Sequence, residues 1–103
     1  MANLTKRDLV LKISKETGLN QRDVFNVIQK TLDHITDALS TARNVELRNF
    51  GVFEVVLRKA KPGRNPKKPT ISVPIPARAI VKFSSGKIMR HRVLGLTNQL
   101  KSQ

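Results

Sequence analysis

Arg58, Lys59, Lys61, Arg64, Lys67, Lys68, Arg78 and Lys82 set eight cations along a stretch that contains no acid. Fixed cations at this density, with no carboxylate to pair them, suit one kind of chemistry, the binding of a polyanion. The asymmetry extends over the whole chain. All seven acids (Asp8, Glu16, Asp23, Asp33, Asp37, Glu46, Glu54) lie before residue 55, among eight bases, whereas residues 55–103 carry twelve bases and no acid. The net charge of +13 therefore belongs almost wholly to the second half. Self-repulsion on this scale weakens a compact chain unless a polyanion neutralises it, and a nucleic acid is the leading partner.

Catalytic chemistry has no comparable support. His34 lies beside an apolar helical stripe and His91 lies among Lys and Arg, with no carboxylate cluster beside either. The chain has no Cys, which removes thiolate metal sites and disulfides and fits a reducing cytoplasm. "SSGK" lacks the Gly-x4-Gly-Lys-Ser/Thr spacing of a phosphate loop. Its Ser84 and Ser85 read as helix caps, with Ser85 also able to bind a backbone phosphate at that helix start. No catalytic residue, metal, cofactor or small-molecule substrate is therefore expected. The start, "MANLTKRDLV", lacks the apolar core of a secretory signal, and no apolar run is long enough to span a bilayer, so no membrane partner is expected. The chain reads as one small soluble domain, 1–103.

The elements that must carry the cations follow from periodicity. Thr5 and Asp8 mark a helix start, Leu9, Val10 and Ile13 recur at helical spacing, and Gly18 is placed as a left-handed cap. Asn20 and Asp23 repeat the start signal for a longer helix with Val24, Val27, Ile28, Leu32, Ile35 and Leu39 on one stripe, widened by Phe25. After Arg43 the period shortens to two. Val45 and Leu47 alternate with Glu46 and Arg48, Asn49-Phe50-Gly51 turns, and Phe53, Val55 and Leu57 share a face. Ile71, Val73 and Ile75 form a third run, in which Pro74 and Pro76 must turn their missing N–H outward along an edge. A last helix follows Ser84 or Ser85 and carries Lys87, Arg90 and Arg92, and residues from about 96 to 103 read as a loose tail.

Between these runs lies "KPGRNPKKP", residues 61–69, too stiff for a disordered loop and too charged to bury. The segment from Arg58 to Arg78 is predicted to be a two-stranded ribbon about 30 Å long, at about 3.3 Å per residue. Such a basic ribbon is thin enough to follow a groove of duplex DNA. At its tip Pro66 is either an ordinary turn proline or a rigid apolar wedge for a base step. The remaining body has few elements with which to cover the helical stripe and Phe50, Phe53 and Phe83. An obligate dimer is expected for that reason.

"RNFGVFEVVLRKAKPGRNP" (Arg48 to Pro66), "IPAR" (Ile75 to Arg78) and "FSSGK" (Phe83 to Lys87) resemble the signature of the bacterial HU/IHF family of histone-like, DNA-bending proteins. The element order extends the resemblance over nearly the whole chain. It implies an α+β fold: a two-helix N-terminal body, a three-stranded antiparallel sheet with a long β-ribbon arm, and a short C-terminal helix, assembled as an intertwined dimer. It also implies arms that wrap the minor groove of double-stranded DNA, with a proline at each tip kinking the duplex and the nucleoid as the location. By position that proline is Pro66, flanked by Arg64 and Asn65. The arm bases are Arg58, Lys59, Lys61 and Arg78, and Lys82, Lys87 and Arg90 fall where body–phosphate contacts are expected. A homodimer is expected, with a heterodimer as the alternative.

Three departures stand out. Lys67-Lys68-Pro69-Thr70 replaces the family's turn and adds a residue before "IPAR", so either the wedge shifts or the ribbon carries a bulge. Asn49 stands where the family has Gly, which requires that Asn49 accept positive φ. The last helix and tail are more basic or longer than the family's.

Glu46 and Arg48 fall two apart on one strand, an arrangement that would extend Arg48 toward a minor groove whose width it reads. Weak, shape-based preference is the expectation. Two other classes fit the charge. One is an RNA-binding or ribosome-associated basic protein. The other is an adaptor that adds the arm as a strand to a partner's sheet, although Pro74 and Pro76 would spoil that edge.

Overall fold

The computed structural model describes residues 2–65 and 68–102, with side chains at 64, 65 and 68–72 left aside. Packing divides the chain into two compact units, residues 1–38 and 39–103.

The first unit holds helix α1 (Lys6–Thr17) and most of α2 (Gln21–Ser40). The expected caps form. The Thr5 hydroxyl accepts from the Asp8 N–H at 3.2 Å, while Asp8 Oδ2 accepts from the Thr5 N–H at 3.0 Å, a reciprocal capping box. Gly18 closes α1 with φ of 78°. Asn20 Oδ1 then accepts from the Asp23 N–H at 2.8 Å and starts α2. The hydrogen bond from the Thr5 N–H, then the Thr5 side chain and the nearby Lys12 and Arg7 charges, hold the Asp8 carboxyl below its ordinary pKa. Among the described residues only Val10 and Val24, 7% and 3% exposed, form the buried apolar core. On the rest of the α2 stripe Phe25, Val27 and Leu32 are exposed, and Ile28, Ile35 and Leu39 are half-buried. A single chain thus leaves the sequence's apolar stripe only partly covered.

The second unit begins with the end of α2 and a turn in which Ala42 adopts φ of 63°. Strands β1 (Val45–Leu47), β2 (Gly51–Arg58) and β5 (Arg78–Ser85) make an antiparallel sheet in the order β1-β2-β5. β3 (Lys61–Asn65) and β4 (Lys68–Ile75) make a separate two-stranded sheet. Helix α3 (Lys87–Leu94) and a short α4 (Thr97–Lys101) complete the chain. The architecture is the expected α+β arrangement: helices, an antiparallel sheet continued by a ribbon, and a short C-terminal helix.

Four local expectations are corrected. Ser84 and Ser85 do not cap a helix. They close β5 opposite Val52 and Gly51, and Gly86 is the N-cap, without a side-chain bond. The reason is that ladder pairing claims both serines, leaving a helix start at the next residue. Residues after 96 are not a loose tail throughout, because α4 forms on bonds back to α3. The ribbon also starts later than expected. Arg58 and Arg78 pair within the three-stranded sheet, and the ribbon's first pair is Lys61 with Ile75. Pro76 lies between β4 and β5 rather than on an edge strand.

Candidate nucleic-acid interface

The β2–β5 register sorts the sheet into two faces. Phe53, Val55 and Leu57 lie opposite Phe83, Val81 and Ala79 on one, and Glu54, Val56 and Arg58 lie opposite Lys82, Ile80 and Arg78 on the other. On the apolar face the Phe53 and Phe83 ring centroids are 4.9 Å apart, and Phe50 meets Phe83 edge-on at 5.9 Å. This cluster remains open: Phe50 is 48% exposed and Leu57, at the sheet's far end, 71%. Gly51, which is buried, makes the cluster possible. A Cβ there would stand 2.4 Å from Phe83 Cε1 and 2.7 Å from the Ser84 carbonyl.

The polar face changes character along its length. Glu54, the last acid of the chain, lies opposite Lys82. Two pairs further on, Arg58 lies opposite Arg78, with both side chains exposed. Like charges directly opposite on a ladder repel. From this pair outward every charge is positive.

Past it, Lys59 and Ala60 face Pro76 and Ala77 across a break in the ladder, and the ribbon resumes in step at Lys61 and Ile75. Pro62 pairs with Pro74, so neither residue donates there. Gly63 is required by close approach: a Cβ would lie 2.8 Å from the Val73 carbonyl and 3.0 Å from the Ile75 side chain. Arg64 takes the register position opposite Ser72, and Asn65 that opposite Lys68. One step on β3 is thus matched by four on β4, a register shift between Arg64 and Asn65. The ladder is therefore irregular at this point, by a bulge or another break in the pairing. Pro66 and Lys67 lie outside the described residues, as do the side chains of Arg64, Asn65 and Lys68.

The remaining site residues gather around α3. The Gly86 N–H donates to the Phe50 carbonyl at 2.7 Å and the Met89 N–H to the Asn49 carbonyl at 3.4 Å, joining the helix start to the β1–β2 turn. Asn49 makes the turn with φ of 68°, the positive value its position demanded. A Cβ on Gly86 would stand 2.7 Å from the Asn49 carbonyl carbon, so glycine is what lets the two segments touch. Lys87 opens α3 and Arg90 follows three residues on, both exposed.

Arg48 is displaced from its expected position. β1 ends at Leu47, so Arg48 belongs to the turn and no longer alternates in phase with Glu46. It lines instead a cleft with Phe50, Ile88 and Arg92. The sequence reading missed this role of Arg92, and it missed the role of Gly86 although the glycine in "SSGK" was a signal for close approach. Ser85 borders a second cleft with Arg90.

Among the described residues, no three His, Cys, Asp or Glu side chains gather to hold a metal, and no helix is long and apolar enough to cross a membrane.

The chain is similar to known proteins. A family model described as bacterial DNA-binding protein matches residues 4–94. The chain is 45% identical over 93 residues to a probable DNA-binding protein HU of Chlamydia trachomatis, covering 90% of this chain and 93% of the relative. It is 39% identical over 90 residues to the integration host factor subunit alpha of Xylella fastidiosa, with 87% and 90% covered. An Anabaena HU–DNA cocrystal structure superposes with a TM-score of 0.79 at 35% identity, over 86% of this chain and 96% of that one. An HU mutant from Thermotoga maritima gives a TM-score of 0.64 at 27% identity, over 86% and 97%.

Proposed function

Because the chain belongs to the HU/IHF family of bacterial DNA-binding proteins, we propose that it is an architectural protein of the nucleoid that binds duplex DNA through the minor groove and bends it. The observation that best supports this reading is the acid-free ladder that runs from the Arg58–Arg78 pair into the Lys61–Ile75 ribbon. Arg58, Lys59, Lys61, Arg64, Lys67, Lys68 and Arg78 supply the arm's phosphate contacts. Asn65 flanks the tip, and Pro66 enters a base step there, where a ring without hydrogen-bonding needs leaves no polar group unpaired. Lys82, Ser85, Lys87 and Arg90 meet the backbone beside the body, and Arg48 reaches the groove from its turn. Arms and body act together as one DNA-binding domain.

The working unit is a dimer, most simply of two identical chains. In support, a lone chain exposes Phe50, Phe83, Leu57 and Val81 on one sheet face, more apolar surface than a small soluble monomer tolerates. A second copy covers it and brings a second arm to the duplex.

Most binding free energy comes from phosphate neutralisation, so preference for particular sites is weak and follows groove shape. With about ten phosphates neutralised per dimer, log K falls against log salt with a slope of about −9. Competition between duplex DNA and duplex RNA at two salt concentrations tests the reading. DNA is expected to win, because the A-form grooves do not admit the ribbon in the same way. Equal competition, or a slope of about −2, would overturn it.

A further inference from the structure

Residues 1–38 hold six bases and five acids, so this unit carries no continuous positive field of the kind found after Glu54. Three of its bases nevertheless gather at one place. Lys6, Arg7 and Arg22 line a pocket between α1 and the start of α2 together with Val10, Leu11 and Phe25. The pocket holds about 580 Å³, room for an anchoring side chain.

Local structure makes the pocket both apolar and positive. Each floor residue lies one helical turn from a cation: Lys6 and Val10, and Arg7 and Leu11, at i, i+4 on α1, and Arg22 and Phe25 at i, i+3 on α2. Lys6 is fixed over the floor, where its Nζ donates to Gln29 Oε1 and stands 5.0 Å from the Phe25 ring centroid. Leu11 and Phe25 stay 42% and 43% exposed, so the floor is open. No acid lines the pocket. Asp8 and Asp23, the sequence neighbours of Arg7 and Arg22, are held in helix caps. Asp8 accepts from the Thr5 N–H at 3.0 Å, and Asp23 from the Asn20 side-chain amide at 2.9 Å.

We propose that this pocket is a docking site for an acidic protein segment that inserts an apolar side chain between flanking carboxylates. Charge complementarity chooses the occupant. The floor of Val10, Leu11 and Phe25 favours an apolar side chain, and the rim of Arg7 and Arg22 favours carboxylates beside it. Duplex DNA fits less well, because five acids share this unit and repel phosphates. A second copy of this chain also fits less well, because a two-fold contact of the pocket with itself sets the three cations against their own images. The chain then binds duplex through one unit and a protein partner through the other.

Fluorescence anisotropy on the full chain tests this with two labelled peptides, one with leucine set between glutamates and one with serine in its place. The serine peptide measures attraction to the basic half alone. Wild type is expected to bind the leucine peptide about tenfold more tightly than the serine peptide. Phe25→Gln is expected to abolish that margin, and Arg78→Gln, on the other unit, to leave it. Arg22→Gln is expected to weaken the leucine peptide about two- to fivefold and to leave the serine peptide unchanged. Far-ultraviolet circular dichroism is expected to match wild type for all three variants. Equal binding of the two peptides by wild type, a margin that survives Phe25→Gln, or no effect of Arg22→Gln overturns the inference. So does a fall in sedimenting mass for Phe25→Gln, which makes a second copy the occupant, or a flatter duplex salt slope for Arg22→Gln, which makes DNA the occupant.

Discussion

Arg58 and Arg78 are cross-strand partners, the last pair of the three-stranded sheet before the ladder breaks. Two cations held face to face weaken the free fold by a fraction of a kcal/mol, about 0.2–1 for such pairs. On the proposed duplex-binding reading the same two cations strengthen a complex with phosphate. On that reading fold stability and DNA affinity pull in opposite directions at this position.

Arg78→Gln separates the two effects. Without DNA the variant is expected to melt at or slightly above the wild-type temperature, a gain of up to about 0.5 kcal/mol. Its affinity for duplex is expected to fall, and the salt slope to flatten by about two units per dimer. Thermal melting and salt titration check the two halves separately. A variant that loses stability and keeps its slope would show that Arg78 serves the fold.

In the proposed dimer a second copy covers the open phenylalanine cluster, so stability would depend on association. The melting temperature is expected to rise with protein concentration, because dimer formation stabilises the folded chain by mass action. Differential scanning fluorimetry over a hundredfold range of concentration checks this, with sedimentation to give the mass. A concentration-independent melt of a monomer would contradict it.

Backbone geometry gives a pair of opposite expectations. Ala42 holds φ of 63°, a region that costs a residue with a Cβ about 1–2 kcal/mol. Ala42→Gly is accordingly expected to stabilise the protein by about 1 kcal/mol, less the entropy glycine adds to the unfolded chain. Gly86→Ala does the reverse, since its Cβ would press on the Asn49 backbone. A loss of about 1–3 kcal/mol is expected. Urea unfolding measures both.

The pH dependence of α1 follows from Asp8. Its pKa is lowered in the folded chain, chiefly by the hydrogen bond from the Thr5 N–H. A lowered folded value means that the carboxylate's contribution is present above the unfolded value of about 3.9. It is lost as pH falls through the lower folded value. Asp8→Asn is expected to melt below wild type at pH 7, with the gap closing as both are acidified below about pH 4. A gap that persists at the lowest pH would show that the charge is not what matters.

How far the sequence carried depends on how near each partner lies. Thr5 with Asp8, and Asn20 with Asp23, are legible because cap and partner are three residues apart. The positive φ at Asn49 is legible because the turn's short length demands it. Ser84 and Ser85 misled because serine is as acceptable at the end of a strand as at a cap. Pairing with Val52 and Gly51, more than thirty residues earlier, decides between them. Gly86 is fixed by the same distant turn. α4 has too few residues to show a period, and it is tied by hydrogen bonds to the end of α3. Of the interface, the cations and their segregation were plain in the sequence. The register that sets Arg58 against Arg78, and the turn that moves Arg48 out of phase with Glu46, were not.

The central claim is that the arms bend duplex DNA by inserting Pro66. Its most direct measurement is end-to-end energy transfer on a duplex labelled at both ends, at saturating wild type and at saturating Pro66→Ala. Wild type is expected to raise the transfer markedly, and Pro66→Ala to raise it much less while its affinity falls by only a few-fold, about 1 kcal/mol or less. Equal transfer for the two proteins would contradict the claim and leave Pro66 a turn residue.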